Sequence, residues 1–134
     1  MSFDCLDATA LIDLARRAES KAPVPCACTK TPLDGWQSQP LSLDETQLRE
    51  IGTLMLKDEL EPTFAEYLPG KTNYWSADAP IAPRYFPYNR CAVWECSVCG
   101  RLYLRYTEGG GYFVDRRIRA VHGALIEDIP RPES

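Results

Sequence analysis

The chain contains a single histidine, His122, and that scarcity narrows its chemistry. Catalytic zinc sites commonly use histidine or carboxylate ligands and keep one position for water, whereas the four clustered thiolates of this chain argue for a closed structural site. A cysteine–histidine nucleophile would have to use His122, whose place after an expected strand gives it no reason to meet Cys91. No stretch approaches the apolar length of a membrane span. The glycine run 109–111 lies in neither a G-x-x-x-x-G-K-[ST] nor a G-x-G-x-x-G context, so it reads as a hairpin turn rather than a phosphate loop. No carboxylate sits in a recognisable acid–base motif, and no internal repeat or low-complexity tract appears. The first residues are acidic where a secretory signal would be basic and then apolar, so a cytoplasmic protein is expected.

Six cysteines are present among 134 residues, and their spacing matters more than their number. In a reducing compartment, clustered C-x-C and C-x-x-C pairs favour metal binding over disulfides. Cys96-x-x-Cys99 is followed at once by Gly100, which permits the positive φ that a tight metal-binding turn needs. Cys26-x-Cys28 is the candidate for the other half of a tetrahedral site. Cys5 is expected on a helix as a small buried hydrophobe, and Cys91 is a minor candidate to replace one ligand. A redox role for Cys96 and Cys99 is weak, because a thioredoxin-like pair opens a helix and the residues after Gly100 alternate like a strand.

Net charge is −4, unevenly spread. Residues 1–83 hold seven basic and thirteen acidic side chains, whereas 84–119 hold Arg84, Arg90, Arg101, Arg105, Arg116, Arg117 and Arg119 against Glu95, Glu108 and Asp115. These arginines either pair with the acidic first half or form a footprint for phosphate or an acidic partner. A whole-chain pI near 5.0 argues against dedicated nucleic-acid binding.

The pattern of apolar residues gives an α+β domain, with a small antiparallel sheet and an N-terminal helix. Leu11, Leu14, Ala15 and Ala18 recur at helical spacing within 5–20, with Asp4 or Asp7 to cap. Prolines 23 and 25 stop that helix, and Asp34-Gly35 marks the turn of an irregular hairpin over 26–41 that carries the first cysteine pair. The spacing from Ser42 to Glu45 is that of a capping box and predicts a helix over 43–51. A strand over 53–56 and a helical turn over 61–67 follow. Residues 71–90 have no period but are rich in proline and aromatics, as in an ordered loop. Tyr74, Trp75, Arg84, Tyr85, Phe86, Tyr88 and Arg90 make that loop the candidate partner-binding surface, or else its rings cap an incomplete core. Residues 91–121 read as a three-stranded meander, with Leu102, Leu104 and Tyr106 on one face and Tyr103, Arg105 and Thr107 on the other, as in a sheet half covered by the N-terminal helix.

The two cysteine pairs and the strands around the second resemble the knuckles of zinc-ribbon proteins, in which each knuckle ends a hairpin and donates two thiolates. The first pair departs from the usual C-x-x-C, and 67 residues separate Cys28 from Cys96. A long insertion is physically allowed, because loop-closure cost grows only logarithmically. The resemblance implies a structural Zn2+ held by Cys26, Cys28, Cys96 and Cys99, with an iron–sulfur centre as the alternative metal chemistry. The expected role is a non-catalytic protein-interaction module: a regulator, adaptor or toxin-neutralising protein. The alternatives are a nucleic-acid-binding ribbon, using arginines 101, 105, 116, 117 and 119 with Tyr103 or Tyr112 as stacking rings, and a thiol or metal-dependent enzyme.

Overall fold

The computed structural model describes residues 5–21, 26, 33–40, 43, 45–55, 63–110 and 113–130. These form an α+β fold with one helix, α1 (Ala8–Ser20), and five strands: β1 (Gln37–Ser38), β2 (Leu48–Thr53), β3 (Ala92–Cys96), β4 (Leu102–Gly110) and β5 (Phe113–Ala120). The Asp7 side chain caps α1 by accepting from the Ala10 amide at 2.8 Å, which satisfies one of the first-turn donors. Leu11 and Ala15 are buried, and Leu14 and Ala18 flank them, so the helical stripe read from the sequence is the buried one. None of the described helices is long and apolar enough to cross a membrane.

The sheet is antiparallel throughout, in the order β1-β5-β4-β3-β2. The meander is its centre, and the two earlier strands are its edges. Register sorts the side chains into two faces. Val93, Leu104 and Tyr106 lie on one, in a single core cluster with Leu102, the helix residues Ala8, Leu11 and Ala15, and the loop residues Trp36, Ile81 and Tyr88. Trp94, Cys96, Tyr103 and Ile118 lie on the other, where the buried cluster is smaller and gathers Leu33, Leu48 and Cys26. Leu33 takes a left-handed backbone (φ 56°), and its carbonyl accepts from the Ala120 amide at 2.8 Å, tying the segment before β1 to β5.

Three local expectations are corrected. Only Glu45–Gln47 form a 3-10 turn where a helix over 43–51 was expected, and β2 begins at Leu48. The register of β2 on β3 shifts between Glu50 and Gly52. Leu48 packs in one core cluster and Ile51 against the other, because residues three apart on a strand point to opposite faces, where a helix would have put both on one. The strand expected over 53–56 ends at Thr53, with residue 56 outside the described residues. Residues 63–67 are not helical: the Ala65 carbonyl accepts from the Phe86 amide instead, while 61 and 62 lie outside the described residues. Residues 37 and 38 add an edge strand to β5, pairing Gln37 with Ile118, while 27–32 and 41 of the hairpin expected over 26–41 lie outside the described residues.

The aromatic loop lies over the same sheet face as α1. Tyr74 stacks on Trp36 at 6.1 Å, and Trp36 meets Tyr106 edge-on at 5.0 Å. A bridge between Ile81 and Ile126 closes the loop's middle. Beneath it lies Arg119, wholly buried. Its guanidinium donates to the carbonyls of Asp34 (2.9 Å), Ala77 (3.3 Å) and Ala79 (2.7 Å) and to the Tyr88 hydroxyl. One side chain thus supplies donors to carbonyls on two irregular backbone segments.

Candidate metal centre

Cys96 is the last residue of β3, and Cys99 closes the turn that leads to β4. That turn is fixed by two backbone bonds, Gly100 N–H to Cys96 O (2.8 Å) and Cys96 N–H to Arg101 O (2.9 Å). Gly100 takes φ +81°, the left-handed value expected of a glycine after a metal-binding pair. Cys26 reaches the same point from the segment after α1. The Sγ atoms of Cys26, Cys96 and Cys99 lie within 4.8 Å of one another, and Cys26 Sγ is 3.7 Å from Cys96 Sγ. Cys28 lies outside the described residues.

This spacing fits a metal. Four sulfurs at metal–sulfur bonds of ~2.3 Å stand about 3.8 Å apart at the corners of a tetrahedron. It does not fit a disulfide, whose sulfurs lie about 2 Å apart, and all the described cysteines are free thiols. Cys96 is buried, while Cys26 and Cys99 are half-buried, so an ion here would sit at the sheet's end with its donors largely shielded from water. Three soft donors would hold it.

A fourth side chain at this point had no signal in the sequence. Gln47 Oε1 lies 3.5 Å from Cys26 Sγ and 3.8 Å from Cys96 Sγ, and the Gln47 carbonyl accepts from the Ser97 amide at 2.6 Å. The 3-10 turn at 45–47 therefore grips the β3–β4 turn from its outer side. Gln47 falls inside the segment expected to be helical, which hid its role.

The remaining sulfur and imidazole groups lie elsewhere. Cys91 is wholly buried, its thiol pointing to the Pro87 carbonyl at 3.3 Å, and burial pushes its pKa well above the usual thiol value. It is an inert core residue, remote in chemistry from a reactive thiolate. Cys5 is exposed, bridging to Thr53 at the sheet edge, which corrects the expectation of a buried helical thiol. His122 Nε2 lies 2.9 Å from Asp34 Oδ1.

The arginines are divided between the two faces and the interior. Arg119 is in the core. Arg117 lies over the rings of Trp75 (4.9 Å) and Tyr74 (5.6 Å) and donates to Asp115 at 2.7 Å. Arg101 lies over Tyr103. Arg105 and Arg116 converge on Glu45 across the opposite face. Tyr103 is fully buried and offers no stacking surface, and Tyr112 lies outside the described residues.

The loop residues separate in the same way. Tyr88 is buried, its hydroxyl bonded to Arg119, and burial raises its pKa, so it belongs to the core rather than to a docking surface. Tyr74 is held by Trp36 and by a hydroxyl contact with Tyr106, whose own pKa is raised by burial and by that contact. Phe86 packs on Tyr106 and Phe64, and Tyr85 on Tyr67. The surface left to solvent is Trp75 (55% exposed) and Arg84, with Phe64 (74%) stacked on Arg90 at 4.0 Å.

No protein-family model, curated protein or solved structure matches this chain.

Proposed function

We propose that the protein is a non-catalytic interaction module whose fold is clamped by a structural zinc ion, with Cys28 completing the thiolate set of Cys26, Cys96 and Cys99. The observation that carries this reading is the meeting of Cys26 with Cys96 and Cys99 at tetrahedral spacing, although 69 residues separate the first two in sequence. An ion there joins the segment after α1 to the β3–β4 turn, and its binding energy becomes folding energy for a small sheet with a short edge strand. A four-sulfur set leaves no position for substrate or water, which favours structure over catalysis. The enzyme reading needed Cys91 and His122 in one cleft. Cys91 instead faces Pro87, and His122 faces Asp34.

Elemental analysis of the native chain and its Cys→Ser variants tests the clamp. One zinc per chain is expected, lost together with thermal stability in Cys26→Ser, Cys96→Ser and Cys99→Ser. Zinc retained in full after Cys26→Ser would remove the clamp between the two segments.

A further inference from the structure

The sheet face opposite α1 holds a groove of about 710 Å3 whose walls include Glu45, Met55, Arg90, Trp94, Arg105 and Arg116. Its lining carries three arginines and one carboxylate: Arg105 and Arg116 hold Glu45, while Arg90 lies over the Phe64 ring. Glu45 is shared: both its oxygens lie 2.7 Å from Arg116 Nη1, and one lies 3.3 Å from Arg105 Nη2. Arg105 spreads over the Trp94 ring at 4.5 Å and is largely buried, with its side chain 11% exposed. Burial lowers its pKa, and the like charge of Arg116 adds to that against the opposing pull of Glu45 and Glu50. Glu50 also acts on Arg105 but is not part of the groove wall, so the wall itself keeps more guanidinium than carboxylate groups and suits a ligand carboxylate. Glu45 itself stands on a one-turn element and is 43% exposed, so its carboxylate can leave without dismantling the sheet.

We propose that this groove takes an extended acidic segment of a partner protein, whose carboxylates replace Glu45 on Arg105 and Arg116 while an apolar side chain rests on Met55. The proposal rests on the interaction-module reading and names the partner's chemistry. Charge complementarity selects a carboxylate-bearing ligand, and Glu45 already demonstrates the geometry with which these arginines hold one. The groove is too long for one small anion, because it continues past Trp94 to the exposed Met55 and to Arg90. A nucleic-acid strand is disfavoured: Arg105 already covers the Trp94 ring on which a base would stack, and the chain carries a net charge of −4.

The test is fluorescence anisotropy of the metal-loaded chain with a labelled twelve-residue peptide of alternating Glu and Leu. The same peptide with Gln for Glu and a twelve-nucleotide DNA strand serve as comparisons, with zinc content measured on every sample. The Glu peptide should bind and the Gln peptide should not. Arg116→Ala should weaken binding about tenfold with zinc retained, and Glu45→Gln should strengthen it several-fold by removing the internal competitor. Glu127→Gln, which changes net charge equally but lies outside the groove, should leave affinity unchanged. Equal binding of the Gln peptide, tighter binding of DNA, or a Glu45→Gln affinity no higher than that of Glu127→Gln would overturn the proposal. Loss of peptide binding with one zinc per chain condemns the groove alone, whereas peptide binding without zinc condemns the clamp alone.

Discussion

Glu45 and Gln47 stand two residues apart on one 3-10 turn and face different chemistry: Glu45 bonds Arg116 in the open groove, and Gln47 touches the thiols of Cys26 and Cys96. The turn is too short to absorb a shift at one end without moving the other. An ion held by the cysteines would therefore also set the position of the carboxylate that fills the groove.

Gln47 should act as an outer support of the metal site. When the thiols become thiolates they need donors, and the Gln47 amide can turn its N–H2 toward sulfur at the same distance. Outer-shell partners of this kind commonly contribute ten- to hundredfold in metal affinity. Gln47→Leu should weaken zinc binding by about tenfold in competition with a chromophoric chelator, while Gln47→Glu, which adds a negative charge beside the thiolates, should weaken it further. Unchanged affinity in both variants would leave Gln47 with only its backbone role.

Gly100 makes the second pair of cysteines geometrically possible. A Cβ at this position would meet only the flexible end of Lys21, at 3.4 Å, so space is not the obstacle. The obstacle is φ at +81°, where an L side chain costs roughly 1–2 kcal/mol. Gly100→Ala should lower the urea midpoint accordingly and weaken metal binding, whereas Gly100→Asn, which tolerates the left-handed region better, should lose less. An alanine variant as stable as the parent would show that the turn does not need this backbone.

The parts of the fold legible in the sequence were those with local causes. The apolar stripe of α1, its Asp7 cap, the alternation through β4 and the glycine after Cys99 each follow from residues a few positions apart. The meeting of Cys26 with Cys96 was inferred from chemistry rather than periodicity, because two thiols need two more. What was hidden depended on distant backbone. Nothing near Arg119 tells that carbonyls from residues 34, 77 and 79 will surround it, so it reads as one more surface arginine. Nothing near Leu48 and Ile51 tells that they will face two core clusters from a strand rather than one from a helix.

Arg119 should therefore be the arginine on which stability depends most. Removing it leaves the carbonyls of Asp34, Ala77 and Ala79 and the Tyr88 hydroxyl short of a donor, and each such loss at a buried group costs about 1–3 kcal/mol. Arg119→Met keeps the apolar stem and should still lose about 3 kcal/mol or more in urea unfolding, a large part of a small domain's stability. Arg119→Lys keeps the charge but not the fork of five donors, so it should recover only part of the loss. Arg116→Met, on the groove face, should change stability by less than about 1 kcal/mol. Equal effects at 116 and 119 would contradict the burial that separates them.

The β1 edge should respond to acid through Asp115. Its carboxylate accepts from the Ser38 hydroxyl at 2.7 Å and from Arg117 Nε at 2.7 Å, and these two bonds, the Ser38 bond first, hold its pKa below the ordinary Asp value of about 3.9. A carboxyl whose folded pKa is depressed contributes stability above its unfolded pKa and loses that contribution as pH falls through the folded one. The attachment of β1 to β5 should accordingly persist at neutral pH and loosen only below the usual Asp range. Carboxyl-detected NMR titration should place Asp115 below the ordinary Asp value, and Ser38→Ala should raise its midpoint toward that value. In the same titration the amides of Gln37 and Ser38 should lose hydrogen-exchange protection together with Asp115 protonation. An Asp115 midpoint unaffected by Ser38→Ala would mean that the side-chain bond across β1 and β5 does not persist in solution.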